Sequence, residues 1–186
     1  MQKIVLASAS PRRKQLLEWA DQNFEVIVSN SPEEAPGELS PSETAIYIAR
    51  QKALAVLKKL NENIPVLAAD TIVVCKGRIL GKPKDREEAI YFLQLLSGTH
   101  HTVTTGVVIR YGEKEISFAD ETIVSFHSLN REQIEFYVDH YKPYDKAGAY
   151  AIQEWIGVIG IKAIKGDFYN VMGLPVSRVM QALASL

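Results

Sequence analysis

A chain of 186 residues, 47% of them apolar, has the length for one domain or two tightly fused lobes and can bury about two thirds of the surface its unfolded form exposes. Its formal net charge of −1 excludes a general nucleic-acid coat, and its single cysteine, Cys75, excludes both an intramolecular disulfide and a Cys-rich zinc centre. No apolar run approaches the roughly twenty residues of a membrane span and no signal-peptide core precedes Ser8, so a soluble cytoplasmic protein with neither membrane nor nucleic-acid partners is expected.

Ile4–Ala7 reads as a short strand and runs into Ser8-Ala9-Ser10-Pro11-Arg12-Arg13-Lys14. Ser10 suits an N-cap and Pro11 the first position of a helix over Pro11–Ala20. Three cations in an opening turn oppose the helix dipole and call for a compensating anion, and the backbone N–H groups there suit phosphate. Phe24–Val28 reads as a second strand, Ser31–Ser40 as a polar loop carrying Glu33-Glu34, and Ser40, Pro41 and Glu43 open a long helix reaching Leu60. Along that helix Ala45, Ala49, Ala53, Val56, Leu57 and Leu60 form an apolar stripe, and Lys52 falls inside it, as a snorkelling amine or as a site cation.

Val66–Val74 is a nearly continuous apolar run, expected for a strand covered on both faces, and Asp70 interrupts it. An unpaired carboxylate is costly to bury, so Asp70 requires a partner: a structural cation, or a metal with a substrate water. Thr71 points to the opposite face of a regular strand. Gly81-Lys82-Pro83 is a turn presenting one lysine. Asp85 with Glu88 predicts a capping box at the start of a helix that Gly98 closes. Thr102–Tyr111 and Glu115–His127 predict an antiparallel hairpin, Arg131–His140 a helix, Ile156–Ile164 a Gly-interrupted strand pair or bulged strand, and Val176–Leu186 a terminal amphipathic helix. A parallel-type beginning followed by long antiparallel strands predicts an α/β protein on a mixed sheet.

Several chemistries are absent from the chain. It has no Walker loop, no G-x-G-x-x-G and no H-E-x-x-H, and the adjacent His100 and His101 would point to opposite sides of a strand, as structural histidines. Asp145-Lys146-Ala147-Gly148-Ala149-Tyr150-Ala151-Ile152-Gln153 combines small residues, which permit close backbone approach, with an amide able to read the donor and acceptor edges of a base; an ordinary loop leading into a strand has the same composition. Gly166–Pro175 reads as a loop before the last helix.

The ordered set Ser8-Ala9-Ser10-Pro11-Arg12-Arg13, Ala69-Asp70-Thr71, Gly81-Lys82-Pro83, Asp145-Lys146-Ala147-Gly148-Ala149-Tyr150 and Asn170-Val171-Met172-Gly173-Leu174-Pro175 strongly resembles the Maf family of nucleoside triphosphate pyrophosphatases, historically called septum formation inhibitors. The resemblance spans essentially the whole chain and implies a single Maf-like domain over residues 1–186, with an elongated mixed sheet, flanking helices and two lobes around a nucleotide cleft, similar to inosine triphosphate pyrophosphatases. It implies cleavage between the α and β phosphates with a divalent metal, Mg²⁺ or Mn²⁺. Arg12, Thr71 and Gln153 match the branch that looks like dTTP/UTP pyrophosphatases, with modified pyrimidine nucleotides as further substrates. The family's proton acceptor falls on Asp70, Arg12, Arg13, Lys52 and Lys82 would carry the phosphate load, Ser8 would donate to a phosphate oxygen, and Glu33 would help Asp70 hold the metal. The resemblance leaves room for a homodimer and, as an alternative, for a non-catalytic nucleotide-binding regulator of cell division.

Overall fold

The computed structural model describes residues 2–29, 31–32 and 34–186. Its first half alternates as the sequence predicts: β1 (Ile4–Leu6), α1 (Pro11–Trp19), β2 (Phe24–Val26), α2 (Pro41–Leu57) and β3 (Val66–Cys75). Strand β1 pairs in parallel with β2 on one side and with β3 on the other. Helix α2 starts where Ser40 and Glu43 complete a reciprocal capping box around Pro41. Its small residues Ala49 and Ala53, with Val56, pack on Val5, Ala7, Val66, Ala68 and Val108 in one buried cluster. Val66 and Ala68 are two apart in β3, so they mark the face of the strand that α2 covers.

The second half comprises β4 (Arg78–Leu80), α3 (Arg86–Leu96), β5 (His100–Tyr111), β6 (Lys114–Phe126), α4 (Arg131–Tyr141), a 3-10 turn over Ala147–Ala149, α5 (Trp155–Gly160), β7 (Ile161–Lys165), α6 (Phe168–Met172) and α7 (Val176–Ala184). The strands form a seven-stranded mixed sheet in the order β2-β1-β3-β5-β6-β7, with β4 antiparallel on β3. Compactness divides the chain into two units. The first holds Met1–Thr71, Thr105–Asp120 and Gly173–Leu186, the second Ile72–Thr104 and Glu121–Met172.

Three local expectations are corrected. Ile156–Ile164 is not strand throughout: α5 occupies its first part, and β7 begins only where Ile161 pairs with Phe126, the register shifting as at a β-bulge between Ser125 and Phe126. Ile156 and Gly160, four apart, are buried while Val158 is 81% exposed, a helical burial pattern that overrides the β propensity of the branched residues. At α3, Asp85 caps Glu88 N as predicted, but the Glu88 carboxylate accepts from Lys84 N instead of closing a capping box. The Gly166–Pro175 loop also contains the short helix α6.

Two buried features of these units have measurable consequences. In the first unit, a Cβ on Gly106 would lie 2.3 Å from the Ala45 carbonyl carbon and 2.4 Å from Ile46 N, so α2 rests directly on the β5 backbone. Gly106→Ala is expected to destabilise the fold by about 2 kcal/mol or more in denaturant titrations, because backbone cannot step aside as a side chain can; an unchanged midpoint would contradict this packing. In the second unit, His101 is buried against Phe126 and bonded to the Tyr150 hydroxyl at 2.7 Å, and burial lowers its pKa to about 4. The unfolded chain therefore binds the extra proton first, and stability should fall as pH drops from about 6.5 to about 4, by roughly 3 kcal/mol in all. His101→Gln should flatten that part of the stability profile.

Candidate active site

The turn after β1 is built from its own hydroxyls. Ser10 accepts from Arg13 N as the N-cap of α1, Pro11 sits in the first turn, and no acidic residue offsets Arg12 and Arg13 there. Ser8 Oγ accepts from Ser10 N at 3.2 Å and from Arg13 Nη1 at 3.1 Å. A hydroxyl has two acceptor positions and one O–H, so with both positions filled Ser8 can act outward only as a donor, which suits an anionic oxygen. Arg12 is half-buried in the same opening turn.

Arg13 is buried and turned inward. Its Nε donates to Gly173 O at 2.8 Å, its Nη1 to Ser8 Oγ and its Nη2 to Thr71 Oγ1 at 3.0 Å. Thr71 Oγ1 also lies 3.0 Å from Thr105 Oγ1 on β5. One guanidinium thus joins the turn after β1, the middle of β3 and the segment before α7. Gly173 has φ +118°, a conformation that favours glycine, and its carbonyl receives the Arg13 Nε–H.

Asp70 occupies the other face of β3. Lys52 Nζ donates to Asp70 Oδ1 at 2.7 Å, with side-chain exposures of 9% and 13%. The lysine that breaks the apolar stripe of α2 and the carboxylate that breaks the apolar strand are therefore partners, so a protein cation meets Asp70 from α2. Register explains why the pair lies beside the turn after β1. Strand β1 ends with Leu6 opposite Leu67, and β3 continues past it through Asp70 and Thr71. The chain leaves β1 through α1 to β2, then returns through α2 to β3 on the other side of β1, so the carboxyl end of β1 is a topological switch point, where α/β sheets bind ligands.

Ser8, Arg12, Arg13, Lys52, Asp70 and Thr71 all belong to the first unit. Lys82 and Gln153 belong to the second and are both exposed. There Gly148 N donates to Gly81 O at 3.1 Å, tying the Lys82 turn to the segment that leads to Gln153. Glu33 lies outside the described residues. Sequence reasoning missed Thr105, which nothing marks within a β-branched strand, and the specific role of Gly173, whose only signal was glycine before Leu174-Pro175.

The family model described as Maf-like protein matches residues 3–186. The chain belongs to the Maf family. A Cytophaga hutchinsonii protein named dTTP/UTP pyrophosphatase is 50% identical over 183 residues, covering 98% of this chain and 84% of that one. A Bacillus cereus protein of the same name is 48% identical over 183 residues, covering 98% and 95% of the two chains. Among solved structures, the Staphylococcus aureus Ham1 protein aligns over 99% of this chain and 98% of its own with a TM-score of 0.51 at 16% identity, a likeness of fold.

Among the described residues of this Maf protein, no group of three or more His, Cys, Asp or Glu side chains assembles to hold a metal. Asp70 is a hard oxygen donor, and Mg²⁺ is commonly held by one or two carboxylates together with substrate phosphates. The donor set therefore fits a cation that binds with a polyphosphate, and does not fit an all-protein metal cage among the described residues.

Arg13→Lys tests the inward role of the guanidinium. A point-charge ammonium cannot reproduce three diverging hydrogen bonds. The variant is expected to lose about 2 kcal/mol of stability, measured by denaturant unfolding, in addition to activity. A variant of unchanged stability would mean that Arg13 does not brace these segments.

Proposed function

We propose that this Maf protein hydrolyses dTTP and UTP to the nucleoside monophosphate and pyrophosphate, and that it accepts modified pyrimidine triphosphates that keep the same base edge. The observation that carries the reaction is the partly buried Lys52–Asp70 pair at the carboxyl end of β1, beside a turn whose hydroxyl has its acceptor positions filled and its O–H left to donate. Relatives about half identical over nearly the whole chain bear the name dTTP/UTP pyrophosphatase, which supports the choice of substrates.

In the proposed reaction Asp70 takes a proton from water as the water oxygen bonds to the α-phosphorus. The bond from that phosphorus to the oxygen bridging the α and β phosphates breaks, and pyrophosphate leaves with the electron pair. Lys52 orients the carboxylate through Oδ1. The Ser8 hydroxyl donates to a phosphate oxygen, and Arg12, Arg13, Lys52 and Lys82 supply the positive charge for the phosphate load. When bound, a divalent cation, Mg²⁺ or Mn²⁺, held by Asp70 and Glu33 supplies charge neutralisation at the phosphates. Arg12, Thr71 and Gln153 select the base. A carboxamide such as that of Gln153 can accept the N3–H of uracil or thymine while donating to O4. Among the described residues no helix is long and apolar enough to cross a membrane, and the cytoplasmic pool of free nucleotides is the proposed setting.

Chromatography of the products from dTTP should show dTMP and pyrophosphate. Release of dTDP and orthophosphate would place cleavage at another bond, and no turnover of any nucleotide would favour the binding regulator. Asp70→Asn keeps the size of the side chain and an acceptor for Lys52, so the protein should fold, checked by circular dichroism, while turnover falls about a hundredfold or more. A folded variant within a few-fold of the parent would move the base to Glu33.

A further inference from the structure

Gln153 is exposed, yet the Ala151 backbone before it and the Glu154 side chain after it are both anchored to one buried side chain of α4. Tyr137 is fully buried, and its Oη accepts from Ala151 N at 3.1 Å while its O–H donates to Glu154 Oε2. The anchor extends further. Glu154 Oε1 lies 3.6 Å from the buried Lys146 Nζ, which donates to Asp145 Oδ1 at 2.7 Å, and Glu154 N donates to Ala151 O at 3.1 Å. At the carboxyl side the chain turns so tightly that a Cβ on Gly157 would sit 1.7 Å from Ile152 O. Residues 151 and 154 are thus fixed from below by a hydroxyl that is acceptor to one and donor to the other, leaving Gln153 as the outward corner of a braced loop.

From this geometry we propose that Tyr137 and Glu154 are positioning residues for Gln153, and that through it they set discrimination among bases. A carboxamide can rotate to present its donor and acceptor in either order, so it distinguishes thymine from cytosine only if its backbone holds it in one place against the base. A buried phenol bonded to both flanks supplies that restraint, and the Glu154–Lys146 contact keeps the carboxylate on the phenol. The inference rests on Gln153 reading the base as proposed above.

The test compares kcat and KM for dTTP and dCTP in five variants: Tyr137→Phe, Gln153→Ala, the double variant, Glu154→Ala and Glu154→Gln. Tyr137→Phe keeps the ring and removes the hydroxyl. It is expected to raise KM for dTTP with little change in kcat and to lower the dTTP-to-dCTP ratio of kcat/KM about tenfold, the scale of a misplaced contact. In the Gln153→Ala background the same change should cost no further discrimination. Glu154→Ala should reproduce the Tyr137→Phe effect, and Glu154→Gln, which still accepts from the phenol, should restore the ratio. Glu154 is only half-buried, so these variants carry the test if Tyr137→Phe does not fold. If Gln153→Ala collapses the ratio but Tyr137→Phe and Glu154→Ala leave it unchanged, or lower kcat equally for both nucleotides, the positioning role is overturned while Gln153 stands. If Gln153→Ala leaves the ratio intact, the base-reading role of Gln153 fails, and the positioning role fails with it.

Discussion

The first unit is organised around where the Arg13 guanidinium can donate. Three of its hydrogen bonds reach the turn after β1, the middle of β3 and Gly173, segments far apart in the sequence. A planar fork with fixed N–H directions permits only one arrangement of those acceptors, so the same side chain that loads the helix N-terminus with charge also fixes the geometry around it. Ser8 illustrates the consequence. Because Arg13 and Ser10 N fill its acceptor positions, its hydroxyl has one way left to act, and that direction suits phosphate. The sheet contributes the complementary constraint: β1 stops at Leu6 while β3 continues, which leaves Asp70 and Thr71 beside the turn instead of beneath it.

Alternation along β3 then assigns adjacent residues to different chemistry. Asp70 meets Lys52 of α2, and Thr71 meets Arg13 of α1 and Thr105 of β5. Two helices covering opposite faces of one strand are what opposite crossovers from a central β1 produce. The approach of α2 is close because Ala45, Ala49 and Ala53 are small and Gly106 has no side chain, so Lys52 is held near the strand with little room to withdraw. The small-residue stripe thus contributes to the site as well as to the core.

Much of this was legible from sequence because the signals were local. Ser10-Pro11 and Ser40-Pro41 with Glu43 mark helix starts by chemistry that needs no tertiary context, and Asp70 and Lys52 each stand out against an apolar pattern. Their partnership was not legible. The residues are 18 apart on different elements, and only strand register and helix packing bring them together. The Arg13–Gly173 bond spans 160 residues and has no local signature at all. The segment after Gln153 failed for the opposite reason: its branched residues signal a strand, but the pairing partner on β6 is reached only at Ile161, and the preceding turn buries Ile156 and Gly160 at helical spacing. Glu154 shows the same limit, since nothing near it in the sequence indicates that a phenol from α4 holds its carboxylate.

The choice of lysine at position 52 follows from what the proposed reaction asks of Asp70. An arginine there would grip a carboxylate with two parallel N–H donors and occupy both oxygens, the geometry seen here where Arg86 holds Asp139 through Oδ1 and Oδ2. Lys52 makes its contact through Oδ1. A point-charge donor can fix the orientation of a carboxylate without engaging its second oxygen, and a general base needs an oxygen that is oriented yet able to receive a proton. Arg13, by contrast, sits where bracing requires several directed bonds from one side chain. The two cations are therefore not interchangeable: the fork belongs where segments must be locked, and the ammonium where one carboxylate must be aimed.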